Sequence, residues 1–393
     1  MTNKPRRSVM DNVHDLDILI FGGGIAGLWL LDELRRSGHS ALLLETQALG
    51  QGQTITSQGI LHGGFKHAIG GRNRAYAKTL NAMPGIWRAC FRDLREPRLS
   101  LVAMRGYSMY VWRTGSIGAI FGQVGARFGL HVEFTKVAGG SLPSVLNGCP
   151  GTTYRLEEQV VDPASLISWL ASRNRARIIH AADIRFSVGA SGRVEEVRFA
   201  SADRTQSLRI RPNAVVFTAG EGNIALREAC GLPTSGIRRI PLAILLVRGR
   251  LPILNGFCVD GIKAKAIVTS QEVGHDTIVW QVACEGIASD NPQFEDLAWR
   301  ALSESLPGFD WPRVERSAYH ANRVEYAAND TRSDGVQILE EGNAITAWPT
   351  KLVLAPRLAE EIVRRLPPPS GADAASLVPC WSRPSIATVP WGA

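Results

Sequence analysis

The sequence predicts an α/β fold, with one domain on a central parallel sheet of Rossmann type and an interleaved α+β domain on an antiparallel sheet. An apolar run, Ile18-Leu19-Ile20-Phe21, leads straight into Gly22-Gly23-Gly24-Ile25-Ala26-Gly27. A helical stretch and a second apolar run, Ala41-Leu42-Leu43-Leu44, complete a strand, crossover helix and parallel strand within about 30 residues. Farther along, Leu242 to Val247, Ala264 to Thr269 and Thr277 to Ala283 are strand-like, with turn residues between them in an antiparallel pattern.

The elements follow in order. Met1 to Leu16 is polar, carries Lys4, Arg6 and Arg7, and is expected to be a short disordered arm (residues 1–14) with no secretory signal. Ile18 to Phe21 is a continuous apolar run, as a strand buried on both faces requires. A helix from about Ile25 to Ser37 places Leu28, Leu31 and Leu34 on one face, with Asp32 and Glu33 toward solvent and Gly38 beyond its end. Thr46 to Gly71 is a long polar, glycine-rich loop, the kind usually retained for function. Ala75 to Arg92 reads as a helix interrupted near Pro84, and Ile117 to Phe128 as another, flanked by short strands at Ser108 to Trp112 and Val132 to Phe134. Asp162 and Pro163 open a helix to Arg173 as N-cap and first residue. Strands are expected at Arg177 to His180, Val194 to Ala200, Leu208 to Ile210 and Ala214 to Phe217, the last running into Thr218-Ala219-Gly220. Glu295 to Ser305 is a helix, Ala344 to Trp348 a last strand, and Lys351 to Leu366 a last helix before a turn-rich tail.

The glycine turn carries a physical argument. Gly22 permits the tight turn, and Gly24 lets backbone approach a pyrophosphate at the helix N-terminus, where N–H groups and dipole favour negative charge. Gly27 allows close packing of helix on strand. Glu45, 18 positions after Gly27, ends the second strand where it can accept hydrogen bonds from an adenosine ribose. The unit by itself fits NAD as well as FAD.

Composition excludes several classes. The net charge is +8, but the basic residues are spread in pairs such as Arg238-Arg239, so nucleic acid is not needed as a partner. No run approaches the roughly 20 apolar residues that span a bilayer. The six cysteines are scattered without a C-x-x-C pair, which argues against a metal site or a disulfide framework and fits a reducing cytoplasm.

Several ordered segments together resemble the D-amino-acid oxidase superfamily of FAD-dependent oxidoreductases, which includes glycine and sarcosine oxidases and glycerol-3-phosphate dehydrogenase. They are the glycine turn with Glu45, Ser57-Gln58-Gly59-Ile60-Leu61-His62-Gly63-Gly64-Phe65-Lys66, Val161-Asp162-Pro163, Ala214 to Gly220, and Pro349-Thr350-Lys351-Leu352. Two positions depart from the family pattern: Ala321-Asn322-Arg323-Val324 stands for G-x-R-P, and Trp348-Pro349-Thr350 for a G-H-G turn. The resemblance implies FAD as cofactor, bound by Gly22, Gly24, Ile25, Ala26, Gly27, Glu45, Thr46, Ser57, Gln58, Gly59, Leu61, His62, Gly63, Ile184, Ala219, Gly220, Thr350, Lys351 and Leu352. It also implies a discontinuous FAD domain (residues 15–95, 151–230 and 321–393) interleaved with a substrate domain (96–150 and 231–320).

The implied reaction is hydride transfer from a small anionic amine or hydroxy compound to flavin N5, with oxygen, a quinone or another carrier as electron acceptor. Lys351 would place positive charge near the flavin pyrimidine, or else faces solvent. His62 is a hydrogen-bond partner, proton acceptor, covalent attachment point or loop-holding residue. Lys66 would bind an anion, and Arg323 would clamp a carboxylate or form an ion pair. His67 and Arg72 are weaker candidates. The alternatives are a flavin-binding protein with a structural role, for which Trp381 and Trp391 in the tail leave room, and an NAD-linked dehydrogenase.

Overall fold

The computed structural model describes residues 12–63, 74–113, 134–137, 139–260, 263–327 and 335–392. In chain order the elements begin with β1 (Val13–Phe21), α1 (Ile25–Arg36), β2 (Ala41–Glu45), β3 (Ile60–Leu61) and α2 (Arg74–Phe91). Next come β4 (Met104–Gly106), β5 (Met109–Arg113), β6 (Phe134–Lys136), β7 (Tyr154–Leu156), β8 (Gln159–Val161) and α3 (Pro163–Arg173). They are followed by β9 (Ile178–Val188), β10 (Val194–Ser201), β11 (Ser207–Phe217), α4 (Asn223–Ala229) and β12 (Ile237–Gly249). The chain closes with β13 (Gly256–Asp260), β14 (Lys263–Gly274), β15 (Thr277–Ala283), α5 (Phe294–Ser305), β16 (Val314–Tyr326), β17 (Gln337–Glu341), β18 (Ala344–Trp348) and α6 (Ala355–Val363).

The first sheet is parallel in the order β9-β2-β1-β11-β18, with β17 antiparallel at its edge. β10 pairs antiparallel with both β9 and β11. One face of β1 (Ile18, Ile20) packs under α1, α3 and α6, while the other (Leu19, Phe21) meets Val215, Phe217 and Phe199. A parallel strand covered on both faces explains the continuous apolar run.

The second sheet runs β16-β12-β15-β14-β13-β5-β7-β6, antiparallel except where β13 meets β5. One of its faces is closed by α5 around Trp112, Trp280 and Leu302. A three-stranded sheet, β3-β8-β4, takes in Ile60–Leu61 from the middle of the stretch expected to be a loop.

Several expectations change. β1 begins at Val13, inside the stretch expected to be an arm. Asp32 does not face solvent; it is fully buried and bonded to Arg35, Arg36, Arg173 and Asn174. α2 runs through Pro84 without a break, because Leu80, Met83, Trp87 and Cys90 anchor both halves in the core. The two strands expected around Leu208 and Ala214 are the single strand β11. The last helix starts at Ala355, after a 3₁₀ turn at Leu352–Leu354. β16 was not foreseen; its thirteen residues pair along β12, so Ala321–Tyr326, expected with the first domain, belongs by pairing to the second sheet. The helix expected at Ile117 to Phe128 lies outside the described residues.

Candidate functional site

The glycine turn is built by contacts that leave no room for side chains. Gly22 has φ +102°, and a Cβ there would sit 2.5 Å from Ala219 Cα. A Cβ on Gly27 would sit 2.0 Å from the Gly22 carbonyl oxygen. Thr218 Oγ1 donates to the Phe21 and Gly22 carbonyls, so the end of β11 is bolted onto the turn. Gly24 differs: only Thr54 Oγ1, at 3.1 Å, stands near its missing Cβ, which leaves a cradle. It opens α1 with no side-chain cap, so the positive end of the helix dipole faces that cradle. Ile25 N–H donates to Thr54 Oγ1, and Ala26 is buried beside it.

Glu45 folds back over the turn, accepting from Gly23, Thr46 and Gln47 backbone N–H groups. Three bonds on a carboxylate leave one lone-pair direction for a ribose hydroxyl. β9 continues past the end of β2 and carries Ile184, half-buried against the Phe21 cluster. Gly220 has φ +58°, and its carbonyl accepts from Trp348 Nε1. Asn223 joins the Ala219 N–H to the Ala347 carbonyl. The ends of β1, β11 and β18 therefore converge, although they are far apart in sequence.

A second cluster forms where the polar loop enters β3. Gly59 has φ +73°, and a Cβ would strike the Val161 carbonyl at 2.0 Å. Leu61 is fully buried opposite Gln159, and His62 follows it half-buried. Gly63 N–H donates to Glu158 Oε1 at 2.7 Å. Glu158 is buried, which pushes its carboxyl up to about 7, opposed by the Gly63 bond and by the positive charge of Lys351. Lys351 follows Thr350, a non-glycine residue at φ +53° whose Oγ1 donates to the Gly335 carbonyl. Leu352 begins the 3₁₀ turn leading into α6, and Trp87 Nε1 donates to Val353 there. Gly63 and Lys351 thus meet around Glu158, a residue the sequence did not single out, and His62 precedes Gly63 in the chain. Its only sequence signal is an acid just ahead of Val161-Asp162-Pro163.

The loop also lies along the second sheet. Val324 N–H reaches Gln53, Tyr319 OH donates to Thr56, and Gln58 Nε2 donates to the Ile267 and Gln281 carbonyls. Ser57 Oγ is buried between those attachments without a partner. Arg323, next to Val324, is at the Gln53 end of the loop, 3.3 Å from the buried Glu325 carboxylate. Lys66, His67 and Arg72 lie outside the described residues. Among the described residues no cluster of acidic, histidine and cysteine side chains could hold a metal ion. All six cysteines are free, and burial pushes Cys90, Cys149 and Cys284 up to about 12.

Residues 17–345 match the family model described as DAO, FAD dependent oxidoreductase. The chain belongs to that family. It is an FAD-dependent oxidoreductase, and the cradle at Gly24 together with the converging strand ends fits FAD. It is 34% identical over 370 residues to the probable FAD-dependent oxidoreductase PA4991 of Pseudomonas aeruginosa, covering 91% of this chain and 92% of the relative. The crystal structure of that protein superposes with a TM-score of 0.77 and 30% identity, over 97% of this chain and 99% of the other. The fold is shared at lower identity with L-proline dehydrogenase from P. horikoshii (TM-score 0.65, 13% identity, 95% and 100% covered) and glycine oxidase from Geobacillus kaustophilus (0.62, 15%, 95% and 100%). Among the described residues of this oxidoreductase no helix is long and apolar enough to cross a membrane.

Proposed function

We propose that this oxidoreductase oxidises a small anionic amine or hydroxy compound to the imine or carbonyl. Bound FAD supplies, at flavin N5, the acceptor for the hydride that leaves the substrate C–H bond. The N–H or O–H proton goes to a base, and the two electrons pass on to oxygen, a quinone or another carrier.

The observation that supports this reading is the apposition of the Ser57–Gly63 segment, family-like in sequence, with a polar face of the second sheet. The glycine turn, Glu45, Ala219 and Gly220 would hold the adenosine and pyrophosphate. Glu158, bonded to this segment through Gly63 and with its carboxyl at about 7, and His62 within it are the groups proposed to take the proton. Lys351 would favour negative charge beside them, and Lys66 and Arg323 are the further cations proposed for anion binding.

The test is anaerobic mixing of the purified holoprotein with a panel of small amines, amino acids and hydroxy acids. At least one is expected to bleach the visible flavin bands. Bleaching by dithionite and by none of the panel overturns the reading and favours a structural flavoprotein.

A further inference from the structure

The C-terminal segment touches both sheets. Trp381 packs edge-on to Phe199 of β10, and the Ser382 carbonyl accepts from His180 N–H in β9. The segment then pairs with Leu49: Leu49 N–H donates to the Ser385 carbonyl at 2.8 Å, and Ala387 N–H to the Leu49 carbonyl at 2.9 Å. These two bonds make an isolated parallel bridge between Leu49 and Ile386. Ile386 packs on the apolar cluster that contains Leu49, and Ala387 is buried. Farther on, Val389 and Trp391 pack with Leu246 and Val279 of the second sheet. The Trp391 ring lies 4.7 Å from Arg105 Cζ, and Arg248 donates to the Trp391 carbonyl.

Leu49 is where this segment meets the glycine turn. A Cβ on Gly23 would sit 2.3 Å from Leu49 Cδ2, so the leucine fills the space beside that glycine. Gly50 N–H donates to the Gly23 carbonyl at 2.9 Å, while Gly23 N–H is held by Glu45. The Gly50 carbonyl accepts from Ile55 N–H, closing the turn that carries Thr54 to the Gly24 cradle. The Gly23 carbonyl and the Gly24 N–H belong to one planar peptide and point in opposite directions. The Gly50 bond therefore aims Gly24 N–H into the cradle, and a binding site keeps its geometry only if the groups behind it are held.

We propose that Ser382–Trp391 is a strap that retains FAD: it clamps Leu49 and Gly50 behind the Gly23–Gly24 peptide, and Trp391 fastens its far end to the second sheet. Leu49 and Gly50 are positioning residues, acting on the cofactor through that peptide. An isolated bridge of two hydrogen bonds opens at lower cost than a core strand, so the strap can loosen while both sheets stay folded. The coupling runs both ways. A closed strap favours bound FAD, and bound FAD favours the closed strap.

Hydrogen exchange of the wild-type chain with and without FAD tests this without turnover. The Leu49 and Ala387 amides should exchange at least about tenfold more slowly in the FAD-loaded protein. Equal rates overturn the proposal. The second readout is FAD release from the loaded protein, followed by the rise in flavin fluorescence. Ala387→Pro, which removes the N–H given to Leu49, should speed release at least about tenfold. Trp391→Ala, which frees the far end, should speed it at least about fivefold. Ala387→Gly keeps the N–H and should release FAD at close to the wild-type rate, which a loss through general packing would not allow. Far-UV circular dichroism identifies a variant that fails to fold, in which case the exchange measurement on the wild type decides. Wild-type release by folded Ala387→Pro or Trp391→Ala, or release by Ala387→Gly as fast as by Ala387→Pro, overturns the strap.

Discussion

Glu158 and Gly63, 95 residues apart, are joined by a 2.7 Å hydrogen bond from backbone N–H to carboxylate. The bond closes the polar loop, just after β3, onto the start of β8. It also places a buried acid within reach of the Lys351 charge, where burial raises its affinity for a proton.

That shift has a sign. Glu158 holds its proton more tightly in the folded protein, so its stabilising share is complete below 4.5 and is lost as pH rises through about 7. The loss is on the order of 3 kcal/mol. Denaturant unfolding from pH 4.5 to 8 should show this decline in the wild type and its absence in Glu158→Gln, which keeps an acceptor for Gly63. Parallel stability profiles would overturn the assignment.

Lys351 opposes the upward shift. Lys351→Met should move the pH midpoint of the Glu158 transition higher, with no such effect in a Glu158→Gln background. The same stability profiles, run as a double-mutant cycle, measure the coupling.

Two glycines are steric requirements at different places. Gly27→Ala puts a Cβ 2.0 Å from the Gly22 oxygen, and Gly59→Ala puts one 2.0 Å from the Val161 oxygen. Both neighbours are backbone, so each change should cost about 2 kcal/mol or more. Gly27→Ala should also lower FAD content after purification, whereas Gly85→Ala, with open space around it and no positive φ, should keep FAD.

Arg227 is only 1% exposed and bonds Glu341, Thr346 and the Pro233 carbonyl. Arg227→Met leaves the Glu341 carboxylate without that partner at the edge of the parallel sheet. Glu341 is about a third exposed and can turn to water, so a loss of about 1–2 kcal/mol in denaturant unfolding is expected, from the Thr346 and Pro233 groups left unpaired.

Legibility followed range. The turn from Gly22 to Gly27, the capping of α3 by Asp162 and the strand Ala344–Trp348 depend on neighbours close in sequence, and spacing revealed them. β16 escaped because Glu315, Arg316, Asn322 and Arg323 break apolar alternation: it is an edge strand whose face toward the loop meets Gln53 and Thr56 rather than a core. Asp32 departs from expectation for a related reason. A helix pattern shows which side is polar, but not that Arg173 and Asn174 of a distant segment will cover it. The tail tryptophans, open in the sequence to partner docking, are turned inward: Trp381 packs edge-on to Phe199 and Trp391 walls the second sheet.

The sequence by itself determined that a tight glycine turn joins a buried strand to a helix, with Glu45 ending the next strand, because steric exclusion of Cβ and strand-to-helix spacing are local properties. Only the tertiary structure decided which charges stand together. Glu158 with Lys351, and Arg105 with Trp391, are brought side by side by long-range pairing, and a side chain's burial and proton affinity depend on what the whole fold places around it.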